Sequence, residues 1–105
     1  MQNTENLHLP PQVELRYIAR TANLEPRIRL TVFRDSGSVL LDIRLSAIAK
    51  ICRPAGENKA ALLRAFRVAV PTLLPMLNGA IARAPAGGIV FITPADIEIR
   101  SGLAA

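Results

Sequence analysis

The chain has 105 residues, of which 13 are basic and 8 acidic, so its formal net charge is +5, with one cysteine and one histidine. This length suits one domain that buries a core without disulfides or structural metals, and a lone cysteine excludes an internal disulfide and any multi-cysteine metal site. The N-terminus has no basic region followed by an apolar run, and the longest uncharged segment, residues 68–82, is too short to span a membrane. We therefore expect a small cytoplasmic protein that does not contact a membrane. Arginine outnumbers lysine 11 to 2, which suggests a GC-rich genome and a bacterial source.

Charge is distributed unevenly along the chain. Residues 68–92 contain one charged side chain, Arg83, whereas residues 1–67 carry 11 of the 13 basic and 6 of the 8 acidic side chains. We expect the neutral part to form the core and an assembly surface, and the charged part to meet solvent or a partner. A basic excess favours polyanionic partners, but acidic residues are interspersed among the arginines, as on an ordinary solvated surface.

The first part of the chain predicts strands. Residues 1–12 are polar and end in two prolines, which indicates a flexible N-terminal arm. Apolar and polar residues then alternate over 13–20, 27–32 and 39–45, the pattern of half-buried strands. A turn cluster at 35–38 joins the second and third runs into a β-hairpin. One face of each strand is apolar and the other mainly charged, so we expect a sheet with one buried face and one solvent face.

The middle of the chain predicts two helices. Ser46 is placed to cap a short helix over 47–51, and Asn58 to cap a longer one. From residue 59 onward, apolar residues recur on a single stripe at heptad-like spacing. Pro71 and Pro75 lie on the opposite side of this pattern. The segment 59–83 is therefore either two helical segments or one kinked helix.

The last part predicts a closing strand. Residues 89–92 form a short apolar run, which we interpret as a strand buried on both faces or central in the sheet. Residues 93–96 resemble a helix start or a tight turn, residues 97–99 a last short strand or helical turn, and residues 101–105 a frayed tail. The prediction is a single α+β domain over residues 13–100, with a small antiparallel sheet of three to four strands and helices packed on one face.

Catalytic and metal-binding patterns are weak. His8 lies in the predicted arm without a catalytic partner, and Cys52 reads as a small apolar residue. Ser46 and Lys50 are four residues apart, whereas the serine–lysine nucleophile motif needs three. Asp96 and Glu98 alone make a poor metal site. We expect no catalytic residue, no metal, no cofactor and no enzymatic activity.

Two surfaces are candidates for binding. If the strands have the alternation described above, the solvent face of the sheet carries five arginines that would contact nucleic acid. They are Arg16, Arg20, Arg27, Arg29 and Arg44. Only Phe33 and Ile18 offer stacking or apolar surface there, and cross-strand salt bridges with Glu14 and Asp42 are the simpler explanation. The helix stripe predicts a homodimer interface made of Leu62, Leu63, Phe66, Val70, Leu73, Leu77 and Ile81.

Three segments carry a resemblance. They are VFRDSG at 32–37 leading into VLL at 39–41, LLRAF at 62–66, and GIVFITPAD at 88–96. With them, residues 28–99 resemble an uncharacterised family of small bacterial domains with a strand-turn-strand-helix-helix-strand order. The first strand and the two helix prolines depart from that pattern. The resemblance implies a fold and carries over no functional residue.

The sequence thus favours a non-enzymatic binding module, a dimeric regulatory or accessory factor that contacts nucleic acid through its arginine face. The alternative is an inhibitor or adaptor that binds a host protein, of the kind that phages and plasmids encode against host defence.

Overall fold

A computed structural model describes residues 13–97; the predicted arm, residues 98–100 and the predicted tail lie outside the described residues. Four strands and two helices follow one another in the order β1 (Val13–Ile18), β2 (Arg27–Val32), β3 (Val39–Arg44), α1 (Leu45–Ala49), α2 (Lys59–Arg83) and β4 (Ile89–Ile92). Residues 94–97 are helical as well. The α+β class, with a small four-stranded sheet and helices, is confirmed.

The sheet is mixed. Its strand order is β1-β2-β3-β4; β2 is antiparallel to both β1 and β3, and β4 is parallel to β3. The prediction of an entirely antiparallel sheet is therefore wrong, because the last strand is parallel to its neighbour. The reason is the long helical connection: α2, at about 1.5 Å per residue, is long enough to carry the chain back past the whole of β3, so β4 can start at the same end as β3 and run with it.

The core lies between one face of the sheet and α2. The apolar positions of β2 and β3 alternate as the sequence predicts, and six of them are fully or almost fully buried: Ile28, Leu30, Val32, Val39, Leu41 and Ile43. They pack with the apolar stripe of α2, whose central side chain, Phe66, has no exposed surface. Small residues along the helix, such as Ala65 and Ala69, are also buried, which lets the helix approach the strands closely.

Helix α2 is one continuous helix through both prolines. Proline lacks the N–H that would bond the carbonyl four residues earlier. Pro71 and Pro75 are both exposed, so water can satisfy the carbonyls that they leave unpaired. Asn58 caps the first turn as predicted, accepting from the Ala61 N–H at 2.8 Å. By length and composition, α2 is apolar enough to cross a membrane; its buried residues nevertheless face the sheet, as in a core helix.

The short helix is capped from elsewhere in the chain. It begins at Leu45, two residues earlier than predicted, so Ser46 lies in its first turn. The Glu25 carboxylate accepts from the Ser46 N–H at 2.7 Å and from the Ser46 hydroxyl at 2.6 Å. The prediction that Ser46 is the cap is therefore wrong. A carboxylate 21 residues away satisfies the free N–H group instead.

The C-terminal end of α2 is held by the loop between β2 and β3. Arg34 donates to the carbonyls of Ile81 at 2.7 Å and Ala84 at 3.0 Å. Gly37 in the same loop has a φ of 121°, and a Cβ added there would lie 2.8 Å from the Ala86 Cβ. This loop therefore needs glycine both for its backbone conformation and for its close approach to the α2–β4 connection.

Strand β4 is an edge strand. The prediction that it is central or buried on both faces is wrong: Ile89 is 49% exposed and Phe91 53% exposed, while Ile92 is buried. A run of four apolar residues fits a central strand and an edge strand equally well. Only the strand order decides between them.

Candidate functional site

The face of the sheet opposite α2 is open, and we call it the open face. Cross-strand register arranges its side chains in three rows. The first row contains Glu14, Thr31, Leu40 and Ile89; the second contains Arg16, Arg29, Asp42 and Phe91; the third contains Ile18, Arg27 and Arg44. Four of the five arginines predicted on this face are thus brought together.

Arg20 is the exception. It lies beyond the end of β1 and donates to both oxygens of Glu57, at 2.9 Å and 2.6 Å. The hydrogen bond from Arg20 holds the pKa of the Glu57 carboxyl below its usual range, and the same hydrogen bond raises the pKa of Arg20. Both side chains are more than half exposed. Arg20 is therefore a surface ion-pair partner, and its assignment to the arginine face is corrected.

Asp42 is the anchor of the open face. It has no exposed surface and is the one buried charged residue among residues 13–97. Its Oδ2 atom accepts from Arg29 Nη2 at 2.8 Å and from Arg27 Nε at 3.2 Å. The alternative prediction of cross-strand salt bridges is thus confirmed for Asp42. Arg27 and Arg29 are fixed in place by a carboxylate that solvent does not reach.

The arginines nevertheless outnumber their counter-charges. Arg16 stands directly opposite Arg29, and Arg27 directly opposite Arg44. Like charges at directly opposite positions destabilise a sheet. Within the three rows, four arginines meet two carboxylates, Asp42 and Glu14. The open face therefore keeps a positive excess that a bound anion would relieve.

Three of these arginines have guanidinium N–H groups without a partner among the described residues. Arg16 is exposed and makes no hydrogen bond or ion pair with other residues in the described range. The buried Nε atoms of Arg29 and Arg44 have no partner among the described residues. A cavity of about 240 Å³ beside Arg16 is lined by Glu14, Arg16, Arg29, Thr31 and Leu40. Guanidinium donors in such a position suit phosphate oxygens, which accept from planar N–H groups.

Aromatic and apolar surface adjoins the arginines, and sequence reasoning missed most of it. Phe91 ends the second row beside Asp42, and Ile89 ends the first row beside Leu40. Phe33, which directly follows β2, is 48% exposed. The expectation that only Phe33 and Ile18 would offer such surface is wrong. The sequence signal was the alternation of Ile89 and Phe91 with Val90 and Ile92, but it has meaning only once β4 is known to be at the edge.

The predicted dimer stripe lies in the core. Six of its seven residues are buried within the single chain, and Leu63 is half-buried. The stripe cannot serve both as the packing partner of the sheet and as a subunit interface. We therefore correct its role to intramolecular core; a dimer would need another surface.

Other candidate sites carry less chemistry. A larger cavity of about 520 Å³ lies between α1 and residues 53–57, but its charged residues, Lys50, Arg53 and Glu57, are all exposed. Within residues 13–97 there is no group of three or more histidine, cysteine, aspartate or glutamate residues that could hold a metal. Cys52 is a half-buried free thiol. His8 and Glu98 lie outside the described residues.

The predicted helix start after β4 is present. Asp96 accepts from the Thr93 N–H at 2.8 Å, so its carboxylate satisfies a backbone N–H group where the helix starts.

In comparisons with protein-family models, curated proteins and solved structures, nothing matches this chain. The resemblance to a family of small bacterial domains therefore stays a prediction.

Proposed function

We propose that the open face binds single-stranded nucleic acid, and that the protein acts as a non-enzymatic cytoplasmic accessory or regulatory factor. The observation that carries the proposal is the second row, which places Arg16 and Arg29 on the same line as the half-exposed Phe91. Proteins that bind single strands combine basic side chains, which follow the phosphates, with aromatic rings, on which bases stack.

The shape of the face favours a single strand over a duplex. Duplex DNA is read by a protruding helix or two-stranded ribbon in the major groove, whereas this face is a broad four-stranded sheet whose helices pack on the other side. The bases of a single strand are unstacked and can lie flat on Phe91. Such stacking contributes about 1–3 kcal/mol per base.

The four arginines have different roles in this proposal. Arg27 and Arg29 are held by Asp42 and give the face its fixed geometry. Arg16, which is exposed and makes no ion pair in the described range, would neutralise one phosphate. Arg44 would neutralise another from the third row. For two phosphates on a single strand, the logarithm of affinity should fall with the logarithm of salt with a slope of about −1.4.

The test measures the binding of a labelled single strand of about 12 nucleotides by fluorescence anisotropy at several salt concentrations. Arg16→Ala should weaken binding by about 1 kcal/mol, roughly fivefold, and reduce the salt slope by about 0.7. Arg64→Ala is the matched control, because it removes the same charge from an exposed position on α2. Phe91→Ala should weaken binding about tenfold with little change in salt slope.

Two results would contradict the proposal. In one, Arg16→Ala and Arg64→Ala weaken binding equally, so that only net charge matters. In the other, the wild-type protein binds neither RNA nor DNA single strands at low salt, so that the arginines serve only the sheet. Equal affinity for duplex and single strands would retain the basic face but remove the stacking role of Phe91.

A protein partner is the second candidate. The observation that favours it is the apolar part of the open face, where Ile89 and Phe91 are about half exposed. An inhibitor or adaptor would use this surface as the centre of an interface. Its binding to a host protein should persist at high salt and tolerate Arg16→Ala, while Phe91→Ala should abolish it.

A further inference from the structure

Within residues 13–97, the outer edge of β4 is unprotected. Edge strands usually carry charges, prolines or bulges that prevent pairing with another chain. The opposite edge of the sheet follows this rule, since β1 carries Glu14 and Arg16 on its open face. The four residues of β4 are all apolar and uncharged. No strand in the described residues pairs with the outer side of β4.

Hydrogen bonding within the sheet shows which groups of β4 point outward. The Leu40 N–H donates to the Gly88 carbonyl at 2.9 Å, and Val90 is the register partner of Leu41. Successive residues of a strand turn their N–H and C=O groups to alternate sides. Gly88 and Val90 therefore bond toward β3, and the backbone groups of Ile89 and Phe91 point away from the sheet.

The N–H groups of the next outward-facing positions, Gly87 and Thr93, already form hydrogen bonds within the chain. The Gly87 N–H donates to the Ser38 carbonyl at 2.7 Å, and the Thr93 N–H donates to Asp96 at 2.8 Å. Registers that pair Phe91 with position 87 of another strand, or Ile89 with position 93, would break one of these bonds. Within residues 13–97, Ile89 and Phe91 are therefore the residues of β4 whose backbone groups remain free on its outer side.

We propose that β4 pairs antiparallel with β4 of a second copy of this chain, with Ile89 opposite Phe91 of the second copy and Val90 opposite Val90 at the two-fold axis. This register is the one that uses the free groups of both strands in two hydrogen-bonded pairs. It is self-complementary, as a two-fold interface must be. It also places Ile89 against Phe91 twice on the open face, and pairs of aromatic and β-branched side chains stabilise sheets.

A second copy fits this edge because β4 is uncharged and its free backbone groups are complementary to those of an identical antiparallel strand. The arginines of the open face lie on β1, β2 and β3, so pairing through β4 keeps them away from the axis. The result is a continuous eight-stranded sheet in which both open faces point the same way. A four-residue strand buries little surface, so we expect a dimer that dissociates on dilution.

Cross-linking tests the register directly. Residues in a non-hydrogen-bonded antiparallel pair have Cα atoms about 4.5 Å apart, within the range of about 4.4 to 6.8 Å that a disulfide spans. In a full-length Cys52→Ala background, Val90→Cys should form a disulfide-linked dimer in air. Val68→Cys in the same background is the matched control. Val68 is 61% exposed on α2, so this variant should remain monomeric.

Sedimentation of the full chain provides the second test. Ile89→Lys should weaken dimerisation at least tenfold. It should not lower the melting temperature measured at a dilution where the wild type is monomeric, since Ile89 is half exposed; Val68→Lys should have no effect. The double variant Ile89→Lys/Phe91→Glu should restore the dimer, because each introduced lysine faces the introduced glutamate of the other copy. The proposal is overturned if the protein stays monomeric up to about 1 mM, or if Val90→Cys and Val68→Cys cross-link equally.

Discussion

Replacing Asp42 by asparagine should lower stability and raise nucleic-acid affinity at the same time. The carboxylate is fully buried, and one of its oxygens accepts from two guanidinium groups. A hydrogen bond to a charged group contributes about 1.5–3 kcal/mol. Asparagine keeps the shape and one acceptor oxygen but loses the charge, and Arg29 can turn toward solvent because it is about one-third exposed. We therefore expect a loss of about 2–3 kcal/mol.

This loss is measurable by thermal or urea unfolding. For a domain of this size, each kcal/mol shifts the melting temperature by about 4–8 °C, so the variant should melt roughly 10–20 °C lower. The same substitution raises the net charge of the open face by one unit, so a single strand should bind more tightly and with a steeper salt dependence. Asp35→Asn is the control, because Asp35 is exposed and has no ion pair in the described range. A loss under about 0.5 kcal/mol would refute the anchoring role of Asp42, and unchanged affinity would refute binding at the open face.

Three further outcomes follow from the contacts described. Phe66→Ala should destabilise the protein by about 3–5 kcal/mol, because a fully buried ring leaves a cavity between α2 and the sheet; a loss below about 1 kcal/mol in thermal melting would show that the ring is not in the core. Pro75→Ala should raise the melting temperature, because alanine restores the N–H that can bond the Pro71 carbonyl and is favoured in a helix interior by up to about 3 kcal/mol. Arg20→Ala should return the lowered pKa of Glu57 toward its ordinary value in a carboxyl NMR titration. Glu57 therefore stays ionised to a lower pH in the wild type than in the variant, and the ion pair with Arg20 is lost only as the pH falls through the lowered pKa. Binding of single-stranded nucleic acid should not change.

Local patterns in the sequence were sufficient for the elements themselves. Alternation placed β1, β2 and β3 within a residue or two of their observed bounds, because each strand has one buried face. The long helix spans 59–83 as predicted, because Asn58 caps its start and its apolar stripe meets the sheet. Whether Pro71 and Pro75 break it depended on whether the carbonyls they leave unpaired face water. That is a property of the packed molecule.

The relations between distant segments could not be read from the sequence. Heptad-like spacing indicated that the α2 stripe would be buried, but not whether the partner would be the sheet or another chain. Alternation placed Asp42 on the solvent face, yet it is fully buried and forms ion pairs with Arg27 and Arg29 from the neighbouring strand. The edge position of β4, and with it the exposure of Phe91, follows only from the strand order.

The arginine pairs of the open face lower the stability of the fold, and the packing of the core does not require them. A sheet needs one apolar face, and β2 and β3 already provide it with six buried side chains. Nothing in that packing calls for Arg16 opposite Arg29 or Arg27 opposite Arg44, and both pairings oppose folding. A single buried carboxylate offsets part of this repulsion and fixes two guanidinium groups, while Arg16 remains without an ion pair in the described range. If the arginines served only solubility, scattered surface positions would suffice. Their concentration in two adjacent rows beside an exposed phenylalanine is what an anionic strand with stacking bases would require.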